Sequence, residues 1–285
     1  MPLLNSNYIG TWYIVNLDGK RRLLESWSES KIQEVQSKRY IQGDIGTHIV
    51  DVGGYYYQAN FSSPIIIFNG GNFTDCFDLV LQNLKVIQEP ISNATILNYI
   101  LDNASISINQ SSVNVSASIE NTAGFDYTGN YKEYAPTDDF VGRTARFYDC
   151  VFKYNENFYP VIDARIDIKV ENSKNYFVPS ADNTASLVPT YGINGYSASG
   201  TVTFAITPTE YEYLKVSADQ SPGRFVTTTG GVLLKILNQN GNRILNLGDY
   251  IFQPRVELDM KSNQIITGKV TFQTMFRRSS TIQVQ

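Results

Sequence analysis

The residues able to do chemistry are few in this chain. General acid–base catalysis needs paired carboxylates or a histidine that titrates near neutrality. The carboxylate pairs are the adjacent Asp138-Asp139 and, on one face of a strand pattern, Asp163 with Asp167. The second pair alternates with Arg165 and Lys169, which reads as a solvated strand face with ion pairs across it. Asp138-Asp139 reads as a loop or a helix cap. His48, in GTHIVDVGG, is the one histidine and reads as an ordinary strand or loop residue. Cys76 and Cys150 are far apart and lack the spacing of a metal or redox motif, so both are expected as small core residues. Neither a phosphate-binding GxxxxGK[ST] nor a GxGxxG after a strand is present, and no catalytic residue, cofactor site or metal site is assigned.

Tyrosine is abundant, with clusters at Tyr55–Tyr57 and Tyr211–Tyr213. Such clusters suit a core edge, a subunit interface or, less often, glycan stacking. Arg277-Arg278 suits an interface better than nucleic acid, because the net charge is −4. Charged residues are only 18% of the 285, against about a quarter in typical soluble domains, and Asn, Ser, Thr and Gln take their place. The 42% of hydrophobic residues argues against disorder, and the two cysteines argue against a disulfide scaffold. No apolar run approaches the length of a membrane helix, and the N-terminal segment lacks a leader pattern. Synthesis and folding in a cytoplasm are expected.

The elements that must position these residues are mostly strands. Thr11–Leu17 and Lys20–Leu24 flank Asp18-Gly19, a strong hairpin signal. Tyr55–Tyr57, Phe61–Phe68, Ser105–Ile108 and Val113–Ile119 follow. In the second half, Arg146–Tyr154 and Phe158–Val170 are expected to form a long hairpin about Asn155-Glu156-Asn157. Alternation puts Val161, Asp163, Arg165, Asp167 and Lys169 on its wet face. Ser199–Ile206, Val232–Leu237, Arg243–Leu247, Tyr250–Leu258 and Ile265–Phe276 complete the strands. Thr207-Pro208-Thr209-Glu210 is a helix start, with Thr as N-cap and Glu three residues later, and predicts a helix to about Val216. Helical spacing also predicts helices over Asp75–Val86 and Ser92–Leu101. Ser26–Ser37 reads as a polar loop or frayed helix.

The order of elements repeats between the halves: a Gly-Tyr lead at Gly54-Tyr55 and Gly195-Tyr196, a strand, a turn, a helix, then hairpins. This predicts modules over 1–135 and 136–285, joined by the packed connector Gly124–Thr144.

The segments ARFYDCVFKYNENFYPVIDARIDIKVENSK and YGINGYSASGTVTFAITPTEYEYLK resemble the long hairpin, and the strand with its following short helix, of phage tail tube and baseplate hub proteins. The resemblance is clearer in the second half than in the first. It implies a mainly β fold of tail-tube-like sandwich or barrel modules, each with a flanking helix. It implies a structural virion protein of a bacteriophage tail, not an enzyme, forming rings that stack into a channel for DNA passage. Three chains would make a ring if the module is duplicated, and six otherwise. Its partners would be itself, adjacent rings, and sheath or baseplate proteins, with DNA passing unbound. The Asn155, Glu156, Asn157 hairpin would reach the next ring. A hub, a tube initiator, or a receptor-binding or adaptor virion protein is the alternative.

Overall fold

A computed structural model describes residues 13–16, 21–42, 45–68, 73–74, 86–88, 95–97, 99–121, 125–126, 142–154, 156–177, 188–219, 226–238 and 241–275. The chain is mainly β. The first half carries β1 (Tyr13–Asn16), β2 (Arg21–Leu23), β3 (Ser26–Gln42), β4 (Ile45–Pro64), β5 (Ile66–Phe68), β6 (Phe73–Thr74), β7 (Val86–Gln88), β8 (Thr95–Leu97), β9 (Tyr99–Ile108), β10 (Val113–Asn121) and β11 (Phe125–Asp126). The second half carries β12 (Gly142–Thr144), a 3-10 turn (Phe147–Asp149), β13 (Cys150–Tyr154), β14 (Asn157–Phe177), β15 (Val188–Ala205), helix α1 (Pro208–Asp219), β16 (Val226–Asn238), β17 (Gly241–Asp259) and β18 (Thr267–Met275).

One antiparallel sheet dominates, in the order β13-β16-β17-β18-β15-β14-β9-β10-β4-β3. β14 also pairs with β13, so six strands close on themselves into a barrel. The closure depends on how β14 divides its edge. Asn157–Pro160 pairs with β13, and Ala164–Lys169 pairs with β9. Between these stretches the β14–β15 register breaks at Val161/Asp163, with Val161 facing Phe204 and Asp163 facing Thr203. The extra residue is a bulge, which bends the strand at the point where it changes partner. It also corrects the simple alternation. Val161 is buried at 1% exposure among the core residues instead of sharing the wet face of Asp163, Arg165, Asp167 and Lys169, all of which are exposed.

Aromatic rings fill the barrel. Phe204 stacks with Tyr159 at 4.7 Å and with Phe152 at 6.2 Å between centroids, and Phe152 meets Phe272 at 5.7 Å. All four are essentially inaccessible to solvent. Thr274, fully buried, donates its hydroxyl to the Leu247 carbonyl at 2.7 Å. It thereby ties β18 to β17 above the break in their register at Phe252/Arg255. Leu214 of α1 enters the same core and Tyr211 packs against it. The helix starts as its sequence predicts. The Thr207 amide and hydroxyl donate to the Glu210 carboxylate at 2.6 and 2.8 Å, and the Glu210 amide donates back to the Thr207 hydroxyl at 3.3 Å.

Several expectations need correction. Ser26–Ser37 is strand, paired with β4 from Ser26↔Ser62 onward. Thr95–Leu97 and Tyr99–Leu101 are strand where Ser92–Leu101 predicts helix. β-branched Thr95 and Ile96 fit a ladder better than a helix, and tertiary pairing decides. For the Asp75–Val86 helix, residues 75–85 lie outside the described residues and Val86 begins β7. The 135/136 boundary also lies outside them. Strands on both sides of it share one sheet and one core, through β9 on β14 and β5 on β12.

Candidate functional site: a polar sheet face and an open strand edge

Where β9, β10, β4 and β3 extend the barrel sheet, side chains sort cleanly by face. Ala104, Ile106, Ile108, Val113, Val115, Ala117, Ala59 and Phe61 are buried, and Trp27 stacks on Phe61 at 6.1 Å. The residues between them are small and polar. One row runs in register across seven strands: Ser26, Ser62, Ser116, Ser105, Asp167, Ser199 and Gln273. A second row runs Asn114, Ser107, Arg165, Thr201, Thr271 and Arg255. These side chains are exposed or half-buried. A shallow depression of about 270 Å³ lies on this face, lined by Ser26, Ser28, Asn60, Ser62, Ser105 and Ser116. The Ser26 and Ser62 hydroxyls lie 2.8 Å apart within it.

The charges beside this hydroxyl and amide surface are largely paired with one another. Arg165 meets Asp167 at 3.5 Å, Arg255 and Lys269 both meet Glu257, and Lys261 meets Asp259 at 3.1 Å. Exposed pairs of this kind add little stability. Among the described residues they leave a face with no dense cationic patch to hold a polyanion.

Two features frame the face. β3 pairs with β4 on one side, and among the described residues no strand pairs its other side. Two arms also run past the central hairpin β9–β10. β4 last meets β10 at Asn121↔Tyr57 and continues with β3 alone to Gln42↔Ile45. β14 last meets β9 at Lys169↔Asn103 and continues with β15 alone to Phe177↔Val188. Both arms project from the sheet end opposite the β9–β10 turn.

The predicted site residues fall as follows. Asn155 lies outside the described residues. Glu156 is exposed with φ 68°, and Asn157 pairs with Tyr154 in a ladder of only four pairs, Val151↔Pro160 to Tyr154↔Asn157. The 3-10 turn over Phe147–Asp149 shortens the first arm of this hairpin, so the long hairpin of this region is β14–β15. Asp163 and Asp167 share a solvated strand face, with Arg165 between them and paired to Asp167. His48 lies on β4 opposite Arg39. Tyr211 packs on the core while Tyr213 is 48% exposed, so the two do not form one stacking platform. Cys150 is a buried free thiol, pushed up to about 12 by burial and then by nearby Asp149, as befits a core residue. Asp138, Asp139, Cys76, Arg277 and Arg278 lie outside the described residues.

The sequence gives no local hint of one further cluster. Arg143 donates from both Nη atoms to the two Asp149 carboxylate oxygens at 2.6 Å, and the Arg146 amide adds a third bond at 2.9 Å. Asp149 is 6% exposed. Its hydrogen bonds raise the Arg143 pKa above the usual arginine value. The clip fixes the chain as it enters the barrel. Arg143→Ala leaves a buried carboxylate short of its partner and should cost about 2–3 kcal/mol. That is below the ~3–5 of a wholly buried pair, because Arg143 is half exposed. Urea denaturation checks this: the midpoint should fall at an unchanged slope. A loss under about 0.5 kcal/mol would mean the pair is an ordinary surface contact.

No protein-family model matches this chain, and no curated protein matches it in sequence.

Proposed function

We propose that this chain is a structural subunit of a bacteriophage tail tube, forming rings that stack around a channel through which DNA passes. It acts in the virion, without enzymatic activity or a bound cofactor. The observation that carries this reading is the open sheet with one polar face of hydroxyls, amides and charges that pair with one another. A strand edge as long as β3, Ser26–Gln42, invites pairing with another chain. Ring closure satisfies that edge by joining each sheet to its neighbour's. The rows through Ser26 and Asn114 then line the lumen, where hydroxyls, amides and self-paired charges let phosphates slide without holding them.

The closed barrel with its flanking helix suits the same reading, as does the resemblance in the second half of the sequence. One closed barrel per chain among the described residues favours six copies per ring over three. Stacking contacts are assigned to the two arms. The four-pair hairpin at Glu156-Asn157 is too short to reach far.

Excising residues 37–50 and joining the register pair Gln36↔Asp51 through a tight turn tests the arm's role. The shortened chain should fold with an unchanged thermal midpoint and form rings that do not stack. Tubes of normal length from it would contradict the assignment.

A further inference from the structure

Breaks in register lie in a band across the sheet where the arms begin. On β15, Glu171 faces Gly195 while Asn172 faces Ile193, so Asn194 is an extra residue. On β9, Ser118 faces Asn103 while Ile119 faces Leu101, so Asp102 is extra. On β4, Gln33 faces Tyr55 while Val35 faces Val52, so Glu34 opposes both Gly53 and Gly54. The last ties of the arms to the central hairpin, Lys169↔Asn103 and Asn121↔Tyr57, lie just before their own breaks. An extra residue on one strand bends it and increases its twist, and glycine commonly marks such a point.

We propose that this band of bulges aims the arms: it turns both out of the plane of the sheet, and Gly53-Gly54 and Asn194 are the positioning residues that set their direction toward a second copy of the chain. The partner's identity rests on the tube reading; the aiming itself does not. The β3–β4 arm extends roughly 26 Å beyond the Gly53-Gly54 bulge to its tip at Ile45, at about 3.3 Å per residue. A turn at that bulge of about 20°, the twist between neighbouring strands, therefore moves the tip by about 9 Å. Contacts between copies are sensitive to a displacement of that size.

Deleting one residue from each of the two bulges at the arm bases is a clean test. Without Gly53, Glu34 opposes Gly54 alone; without Asn194, the β14–β15 ladder becomes one-to-one from Asp163↔Thr203 to the end of the arm. Both deletions keep the pairs on either side of the break. Spin labels are placed at Thr47→Cys on the arm and Ser107→Cys on the sheet, with Cys76→Ser and Cys150→Ala removing the native thiols. Pulsed electron resonance then reads their distance in dilute, unassembled protein, and electron microscopy reads assembly at high concentration. The double deletion should shift the distance by about 7 Å, as expected for a turn of one strand twist acting on a label about 20 Å from the bulge, and stacking should be lost. An unchanged distance overturns the proposal. A shifted distance with normal stacking overturns its consequence for the neighbour. If the parent chain forms neither rings nor stacks, the tube reading fails while the distance still decides whether the bulges aim the arm. Should the double deletion not fold, the Gly53 deletion alone is read in the same way.

Discussion

Phe204→Ala should lower the thermal unfolding midpoint by roughly 10 °C, the largest loss of any single truncation considered. Phe204 is the residue on which the barrel's aromatic packing converges, stacked on Tyr159 on one side and Phe152 on the other. It is fully buried, as are both partners to within 2%. Truncating such a side chain costs about 3–5 kcal/mol, from lost transfer energy and from the cavity left behind. The surroundings here cannot collapse easily. Gly268 lies against the ring edge, where an added Cβ would sit 3.0 Å from Phe204 Cε2, and the closed ladder holds the strands apart. Differential scanning calorimetry measures the loss, and Phe204→Leu should recover most of it. A midpoint within about 2 °C of the parent's, the effect of under 1 kcal/mol in a chain of this size, would show that the ring is not central to the fold.

Gly200→Ala should be nearly as damaging, although alanine normally strengthens a strand relative to glycine by about 0.5–1 kcal/mol. A Cβ at Gly200 would collide with the Arg165 carbonyl oxygen and lie 2.9 Å from the Ile166 Cα. Both are backbone atoms of β14, so no side-chain rotation relieves the clash. Strand β15 must shift, and it pairs with β14 on one side and β18 on the other. A net loss of about 2–3 kcal/mol follows, at the upper end for overpacking. Gly268→Ala provides the control. Its Cβ would meet Ile206 Cδ1 at 2.9 Å and Phe204 Cε2 at 3.0 Å, side-chain rather than backbone atoms, of which the Ile206 methyl can move aside. The Gly200 variant should therefore lose several degrees more than the Gly268 variant in parallel melts. Equal losses would mean that β15 is free to move.

The second half of the fold is largely legible in the sequence because its strands alternate. Ala164, Ile166 and Ile168 are buried between exposed Asp163, Arg165, Asp167 and Lys169, and the Thr207–Glu210 cap is visible as four letters. What alternation cannot show is where it breaks. The bulge that turns Val161 inward is set by the change of partner from β13 to β9, a contact between distant parts of the chain. Barrel closure is equally non-local. Strand β3 escapes notice because Ser26, Ser28, Glu29 and Ser30 carry little strand propensity, and only the partner strand β4 makes them a strand. The polar face does have a sequence signal. Asn103, Ser105 and Ser107 on β9, and Asn114, Ser116 and Ser118 on β10, interleave small polar residues with apolar ones. That pattern marks a two-faced strand; only the register shows that the polar positions of seven strands align.

The central claim is that copies of this chain join by their sheets into rings and stack by their arms. Electron microscopy of the purified protein across a concentration series, with mass measurement in solution, tests it most directly. Rings with an open lumen, a mass of six chains per ring and stacks that lengthen with concentration are predicted. Isolated rings that never stack would move the reading to a hub or tube initiator. A monomer, or a compact oligomer without a lumen at every concentration, would contradict the account.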